Sequence, residues 1–115
     1  MRRVIVCGSR AWADPAAVGQ RLDRERRPFV LIHGDCRRGA DAMADRWARA
    51  AGVTVEAHPA DWRRLGTAAG PARNRAMLAA GADLVIAFRA AGRSNGTDHM
   101  VRIAGTLGVP VEVVR

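Results

Sequence analysis

The chain has no lysine and no tyrosine, and its aromatic residues are three tryptophans and two phenylalanines. All 19 basic residues are therefore arginines, and with 11 acidic residues they give a net charge of +8. Arginine favours planar, bidentate contacts with phosphates and carboxylates, so the charge indicates an anionic partner. A bias toward arginine and alanine is also typical of GC-rich coding, and the arginines are scattered along the chain, which reduces the weight of this argument.

Cysteine is almost absent as well, since the chain has only Cys7 and Cys36. Two cysteines without zinc-site spacing predict reduced thiols rather than a disulfide framework, and we expect no metal and no cofactor. No apolar run reaches the roughly 18 residues that a membrane-spanning helix requires. The N-terminus lacks the apolar region and cleavage site of a signal peptide. We therefore expect a cytoplasmic protein without membrane contact.

The 115 residues are enough for one compact domain, and we expect that domain to span 1–115. Short apolar runs recur along the chain: Val4 to Cys7, Phe29 to His33, Val53 to Glu56, Leu84 to Phe88 and Val109 to Val114. Alanine-rich segments with helical spacing separate these runs, and this alternation is typical of βαβ units. Strands that are apolar throughout are buried on both faces, so we predict a mostly parallel sheet with helices above and below it.

Capping residues and apolar spacing give the positions of four helices. They are predicted from after Asp14 to before Pro28, from Ala40 to Ala51, from about Pro71 to Ala80 and from about Gly96 to Leu107. The segment His58 to Gly70 has no clear period and is predicted to be an ordered loop at the rim of the site. Right-handed crossovers then give a Rossmann-like three-layer α/β/α sandwich with five strands in the order 3-2-1-4-5.

Two small, hydroxyl-bearing loops each leave a predicted strand and lead to a helix. One is Gly8-Ser9-Arg10 and the other runs from Gly92 to Thr97. Backbone N–H groups in such loops suit a phosphate. In the predicted strand order both loops lie where the chain direction reverses, which is where open α/β sheets bind ligands. The sequence therefore predicts one nucleotide site between them.

A set of short motifs follows one another along nearly the whole chain. They are Gly8-Ser9-Arg10, His33-Gly34, Gly39-Ala40-Asp41, Trp47-Ala48, Pro59-Ala60-Asp61-Trp62, Gly70-Pro71-Ala72-Arg73-Asn74 with Met77, and Gly96-Thr97. In this order the motifs resemble the YspA and YpsA-related branch of the SLOG superfamily. The resemblance implies a Rossmann-like domain that binds a nucleotide or a nucleotide-derived ligand. It also implies a homodimer, as in the related LOG phosphoribohydrolases, and a relationship to the DNA-processing DprA proteins.

LOG enzymes carry the motif Pro-Gly-Gly-x-Gly-Thr-x-x-Glu, whose glutamate takes part in cleaving the N-glycosidic bond of a nucleoside monophosphate. The aligned position in this chain is Met100, which can neither stabilise an oxocarbenium ion nor act as a base. A hydrolase would need Asp98, Asp41 or Asp61 to replace that glutamate. The resemblance therefore implies a ligand class more than a reaction.

The predicted ligand-binding residues are Gly8, Ser9, Arg10, Gly34, Gly39, Asp41, Trp62, Arg73, Asn74, Gly92, Gly96 and Thr97. The hydroxyls and glycine amides are expected to contact phosphate, and the two arginines its charge. Trp62 would stack on a base. The other roles that these residue types allow are helix caps, solvated surface arginines and, for Asp41, a favourable contact with a helix dipole.

Three further residues are left with open or structural roles. Trp12 fits either the site or the core, His33 is expected to be a hydrogen-bonded core residue, and His99 has no visible partner. Cys36 lies near the predicted site, but no Cys-His-Asp arrangement is visible.

Three functions are compatible with these residues. The first is binding of a nucleoside monophosphate or an ADP-ribose-like molecule, in a sensing or accessory role. The second is LOG-like hydrolysis of a nucleoside monophosphate. The third is binding of single-stranded nucleic acid, for which scattered arginines and few aromatic residues are a poor match.

Overall fold

The computed structural model describes all 115 residues. Five strands form one sheet: β1 (Arg2–Gly8), β2 (Phe29–His33), β3 (Thr54–Ala57), β4 (Leu84–Phe88) and β5 (Val111–Val114). Their order is β3-β2-β1-β4-β5 and every neighbouring pair is parallel. The predicted Rossmann-like topology is therefore confirmed, and the bounds of β2 and β4 are those that the apolar runs predict.

Helices cover both faces of the sheet. They are α1 (Pro15–Asp23), α2 (Ala40–Ala51), α3 (Trp62–Leu65), α4 (Ala69–Ala79) and α5 (Asn95–Thr106), with a 3₁₀ turn over Gly66–Ala68. Helices α1 and α2 pack together on one face, and α4 and α5 pack together on the other. Successive residues of β1 alternate between the two apolar layers: Val4 and Val6 face α1 and α2, whereas Ile5 and Cys7 face α4 and α5. None of these helices combines the length and the apolar character that crossing a membrane requires.

Two helix ends form as their capping residues predict. The carboxylate of Asp14 accepts a hydrogen bond from Ala17 N at 3.0 Å, with Pro15 in the first turn of α1. Gly52 ends α2 in the left-handed conformation, with φ of 72°. Helix α4 begins at Ala69, two residues before the predicted start at Pro71. Proline is accommodated there because the first N–H groups of a helix have no intrahelical acceptor.

The segment His58 to Gly70, predicted to be an ordered loop at the rim of the site, lines a cavity but is partly helical. The segment contains α3 and the 3₁₀ turn, and Asp61 begins α3 by accepting a hydrogen bond from Arg64 N at 3.2 Å. An element of four residues is too short to produce a hydrophobic period. All residues from 61 to 68 are exposed, so this short helix lies on the surface beside the sheet edge.

Candidate functional site

A cavity of about 640 Å³ lies beyond the carboxyl ends of β1 and β4. Its wall consists of the residues after β1, the turn after β2, the segment from α3 into α4, and the first turn of α5. The strand order reverses between β1 and β4, so the cavity occupies the switch point of the sheet. Both loops that the sequence singles out contribute to this cavity.

A chain of hydroxyl groups connects the two loops. Ser9 Oγ accepts a hydrogen bond from Ala90 N at 3.0 Å and donates to Ser94 Oγ at 3.1 Å. Ser94 Oγ in turn donates to Thr97 Oγ1 at 2.8 Å. The Ser9 hydroxyl therefore joins the two loops within the protein. The first N–H groups of α5, at Asn95, Gly96 and Thr97, have no intrahelical acceptor and are available to an anion.

Arg73 and Asn74 connect α4 to two other parts of the wall. Arg73 donates from Nη1 to Gly34 O at 2.5 Å and from Nε to Asn74 Oδ1 at 3.0 Å. Asn74 is buried, and its Nδ2 contacts both Gly96 O and His99 Nδ1 at 3.1 Å. Because a guanidinium cannot accept a hydrogen bond, Oδ1 must face Arg73 and Nδ2 must face His99.

His99 therefore accepts a hydrogen bond at Nδ1, and its neutral form carries the proton on Nε2. Burial lowers the pKa of His99, and the neighbouring Arg102 and Arg75 lower it further, which favours this neutral form. The sequence shows no partner for His99, whereas the structure gives it one. The partner, Asn74, is 25 residues away in the chain and becomes visible only in the fold.

The turn after β2 is held by two buried side chains. Asp41 Oδ2 accepts hydrogen bonds from Gly34 N at 3.1 Å and from Cys36 N at 3.4 Å. His33, which is buried, accepts from Asp35 N at 2.9 Å through Nδ1. Burial raises the pKa of Asp41, while its neighbours and the Cys36 amide oppose that rise. Burial and the neighbouring Asp41 also raise the pKa of the Cys36 thiol, which disfavours the thiolate form.

Two glycines allow close approaches around the cavity. A Cβ atom at position 34 would lie 2.7 Å from Arg73 Cζ, and one at position 8 would lie 2.6 Å from Phe88 O. Both separations are shorter than van der Waals contact, so a side chain at either position would displace its neighbour. Glycine at these positions therefore lets the turn and β1 pack tightly against the rest of the wall.

The comparison with known proteins agrees with this geometry. The model of the family described as YspA, cpYpsA-related SLOG matches residues 2–65, from β1 to the end of α3. The Gene 61 protein of Mycobacterium phage D29 is 48% identical over 120 aligned residues, which cover 96% of this chain and 94% of the phage protein. This chain belongs to the YspA, cpYpsA-related SLOG family. Membership suggests that a nucleotide-related ligand is bound or modified.

Most residues predicted for the SLOG site line the cavity. They are Gly8, Ser9, Arg10, Gly34, Asp41, Trp62, Arg73, Asn74, Gly96 and Thr97. Gly39 and Gly92 do not line it. Gly39 instead packs against the backbone of Ser9 and Arg10, and the carbonyl oxygen of Gly92 accepts from Arg89 Nη1 at 2.8 Å.

Two of the three candidate carboxylates for hydrolysis lie outside the cavity. Asp98 forms a bidentate pair with Arg89, at 2.8 and 3.1 Å, and Asp61 caps α3 and pairs with Arg64 at 3.1 Å. Met100 is fully buried in the apolar layer under the sheet. Within this SLOG chain, only Asp41 brings a carboxylate to the cavity wall.

Several lining residues of the SLOG cavity are absent from the set predicted from the sequence. His99, Arg93, Asn95 and Cys7 all line it. A helical signal existed for one of them, because His99 follows Asn95 by four residues and shares its face of α5.

Trp12, left open between site and core, packs on Phe88 with ring centroids 5.4 Å apart and is buried. No group of three or more His, Cys, Asp or Glu side chains is arranged to hold a metal ion.

Proposed function

We propose that this SLOG chain binds a nucleotide or a nucleotide-derived ligand in the switch-point cavity, as a sensor or accessory module without chemistry of its own. The observation that carries the proposal is the convergence of both loops and the first turn of α5 on one cavity. The cavity volume of about 640 Å³ is within the range of small-molecule sites, roughly 300–1,000 Å³.

The charges around the cavity support an anionic ligand. Arg10, Arg73 and Arg93 line it, and the only acidic residue on its wall is the buried Asp41. None of these three arginines belongs to an ion pair of the chain. Arg73 uses Nη1 and Nε for contacts within the protein, which orients its guanidinium and leaves Nη2 for a phosphate oxygen.

Two further lining residues, Trp62 and His99, suit a nucleoside. Trp62 lines the rim and is 50% exposed, so its ring has a free face on which a base can stack. His99 offers an Nε2–H donor whose tautomer is set by Asn74. A flat aromatic surface and a few oriented polar groups are the usual means of recognising a base and its ribose.

Hydrolysis of an N-glycosidic bond is a second candidate, and it depends on Asp41 alone. Asp41 is on the cavity wall with a raised pKa, which is a property of acid–base residues. Its Oδ2, however, accepts two backbone hydrogen bonds from the turn after β2. A structural role explains both the burial and the contacts of this carboxylate, so binding is the function that the geometry favours.

The experiment compares Arg73→Ala with Arg46→Ala in calorimetric titrations and thermal shifts with the four nucleoside monophosphates, ADP-ribose and NAD. Arg46 is exposed on α2 and lies outside the cavity, so its loss removes the same charge away from the site. We expect Arg73→Ala to weaken binding by about 10- to 100-fold and Arg46→Ala to change it little. Equal losses would contradict the site, and release of free base by the wild type would support the hydrolase instead.

A further inference from the structure

A second chamber of about 360 Å³ adjoins the main cavity. Arg10, Gly34, Cys36, Trp62 and Arg73 line both spaces, so the two chambers share one wall of the protein. The main cavity alone is large enough for a nucleotide, within roughly 300–1,000 Å³. The side chamber is therefore space beyond what one nucleotide in the main cavity requires.

The side chamber is strongly basic. Four of its ten lining residues are arginines, and its only acidic residue is Asp35. Two of these arginines, Arg37 and Arg38, line this chamber and not the main cavity. Both are exposed, and neither belongs to an ion pair of the chain. A concave surface with this excess of guanidinium groups attracts an anion.

The backbone that carries Arg37 and Arg38 is held in a fixed conformation. Asp35 has a φ of 58° and is the only residue other than glycine with a positive φ. Such a conformation persists only where the surroundings determine it, and here the amides on either side are bound by Asp41. The amides of residues 34 to 36 are all used within the protein and are not free to bind an anion, so the positively charged groups that this turn offers to the chamber are arginine side chains.

We infer that the side chamber binds a second phosphate of the ligand, at Arg37 and Arg38, while the main cavity holds the nucleoside and its first phosphate. The inference rests on the proposed function and narrows its ligand class to nucleotides with two phosphate groups. Two sources share this chemistry: a nucleoside 3′,5′-bisphosphate, with phosphates at two positions of the ribose, and a 5′-diphosphate such as a nucleoside diphosphate or ADP-ribose.

The test compares the affinities of matched ligands by calorimetric titration. The ligands are the 5′-monophosphate, the 3′,5′-bisphosphate and the 5′-diphosphate of adenosine, guanosine, cytidine and uridine, together with ADP-ribose. For at least one base we expect a ligand with two phosphates to bind about tenfold or more tightly than the monophosphate. If the 3′,5′-bisphosphate binds more tightly, the second phosphate is on the ribose; if the 5′-diphosphate or ADP-ribose does, it is in a diphosphate group.

Two double variants assign that gain to the chamber. Arg37→Gln/Arg38→Gln is expected to abolish the gain and to leave the monophosphate affinity unchanged. Arg24→Gln/Arg26→Gln removes the same charge from exposed positions outside both chambers and is expected to keep the gain. Because all four positions are exposed, unfolding midpoints are expected to stay close to that of the wild type.

Three results would overturn the inference: no gain in the wild type, a gain that survives in the Arg37/Arg38 variant, or an equal loss in both double variants. If none of these monophosphate or two-phosphate ligands binds, the proposed function fails, and inorganic pyrophosphate then tests the chamber separately. Pyrophosphate binding that needs Arg37 and Arg38 but not Arg24 and Arg26 would support the chamber as an anion site. Binding that depends on neither pair, or no binding, would overturn it.

Discussion

Arg73 reaches from α4 to the carbonyl oxygen of Gly34, and the absence of a side chain at position 34 makes this contact possible. The φ of Gly34 is not positive, so its backbone conformation is open to alanine. The position is therefore constrained by the guanidinium beside it and not by the chain itself. A substitution at position 34 therefore affects the binding site separately from the folding of the chain.

We predict that Gly34→Ala weakens nucleotide binding by about tenfold, because the new Cβ displaces the Arg73 guanidinium. The displaced group is the end of a flexible side chain, so the unfolding midpoint should change little. Gly105→Ala is the matched control, since it lies on α5 with no atom within 4 Å of the new Cβ. Unchanged affinity in Gly34→Ala would show that Arg73 does not need its contact with Gly34 to bind the ligand.

For individual residues, the sequence predicts which ones belong to the site better than it predicts their contacts. Ser9, Thr97, Arg73 and Asn74 were selected from their loops and motifs, and all four line the cavity. The hydroxyl network from Ser9 to Thr97 depends on the contact between Ser9 and Ser94, which are 85 positions apart in the sequence. No local pattern contains such a distance, and the pairing of Asn74 with His99 escaped prediction for the same reason.

Among the elements, α2 begins against the loop that follows β1. Gly39, at the N-terminus of α2, has a φ of 75°, and a Cβ there would lie 2.7 Å from Arg10 Cα and collide with Ser9 O. Its contribution to the site is thus indirect, since it sets the distance between α2 and the Gly8-Ser9-Arg10 loop. A residue with a side chain would push that loop away from the helix.

We predict that Gly39→Ala lowers the free energy of unfolding by about 1–3 kcal/mol more than Gly108→Ala does. Gly108 has the same φ of 75° but nothing within 4 Å of a new Cβ, so it isolates the backbone strain that both positions share. Chemical denaturation of the two variants measures the difference. Equal losses would mean that the close approach of α2 to the loop has no energetic consequence.

A second contact between elements joins β1 to β3. Arg3 donates to both carboxylate oxygens of Glu56, at 3.1 and 2.8 Å, and His58 contacts the same carboxylate at 2.7 Å. These hydrogen bonds, from Arg3 first and then His58, lower the pKa of Glu56 from 4.5 to about 2. The folded state thus favours the charged form, so the contact stabilises the fold above pH 4.5 and is lost as the pH falls toward 2.

We predict that Glu56→Gln lowers the free energy of unfolding at pH 7 by less than about 1 kcal/mol, because the carboxylate is partly solvated. The difference between variant and wild type should shrink as the pH falls from 4.5 to 2. Denaturation at several pH values measures this trend. A difference that stays constant over that range would show that the Glu56 charge contributes nothing.

The length of an element decided how well it could be predicted. Strands β2 and β4 lie near the centre of the sheet and are buried along most of their length, so continuous apolar runs marked them. Helix α2 has the apolar spacing and the terminal Gly52 that define its ends. In contrast, α3 is too short to show a period, and it forms from an aspartate cap that is equally common in turns.

The whole molecule has a net charge of +8 and a basic cavity, which could attract either a small anion or a nucleic acid. The arginines of the cavity lie around one concave site, whereas a single-stranded nucleic acid would need a continuous basic groove with aromatic platforms. Only Trp62 among the tryptophans lines the cavity. The distribution of charge therefore favours a small ligand.

The homodimer implied by the resemblance to LOG enzymes stays a prediction.

We predict that nucleotide affinity falls by less than about 10²-fold between 50 and 200 mM salt, because few charges are neutralised in the site. A protein that makes many phosphate contacts along a nucleic acid loses about 10³–10⁵-fold over the same interval. Titrations with a mononucleotide and with a single-stranded oligonucleotide, repeated at both salt concentrations, compare the two. Tight oligonucleotide binding with a steep salt dependence would contradict the small-ligand account.

The most direct measurement is the change in backbone amide resonances of ¹⁵N-labelled protein on titration with nucleoside monophosphates. We predict that the largest shifts occur together in the Gly8-Ser9-Arg10 loop and at Gly96 and Thr97, because one phosphate contacts both loops. Shifts at only one loop, or at residues outside the switch-point cavity, would contradict the claim that the two loops form a single nucleotide site.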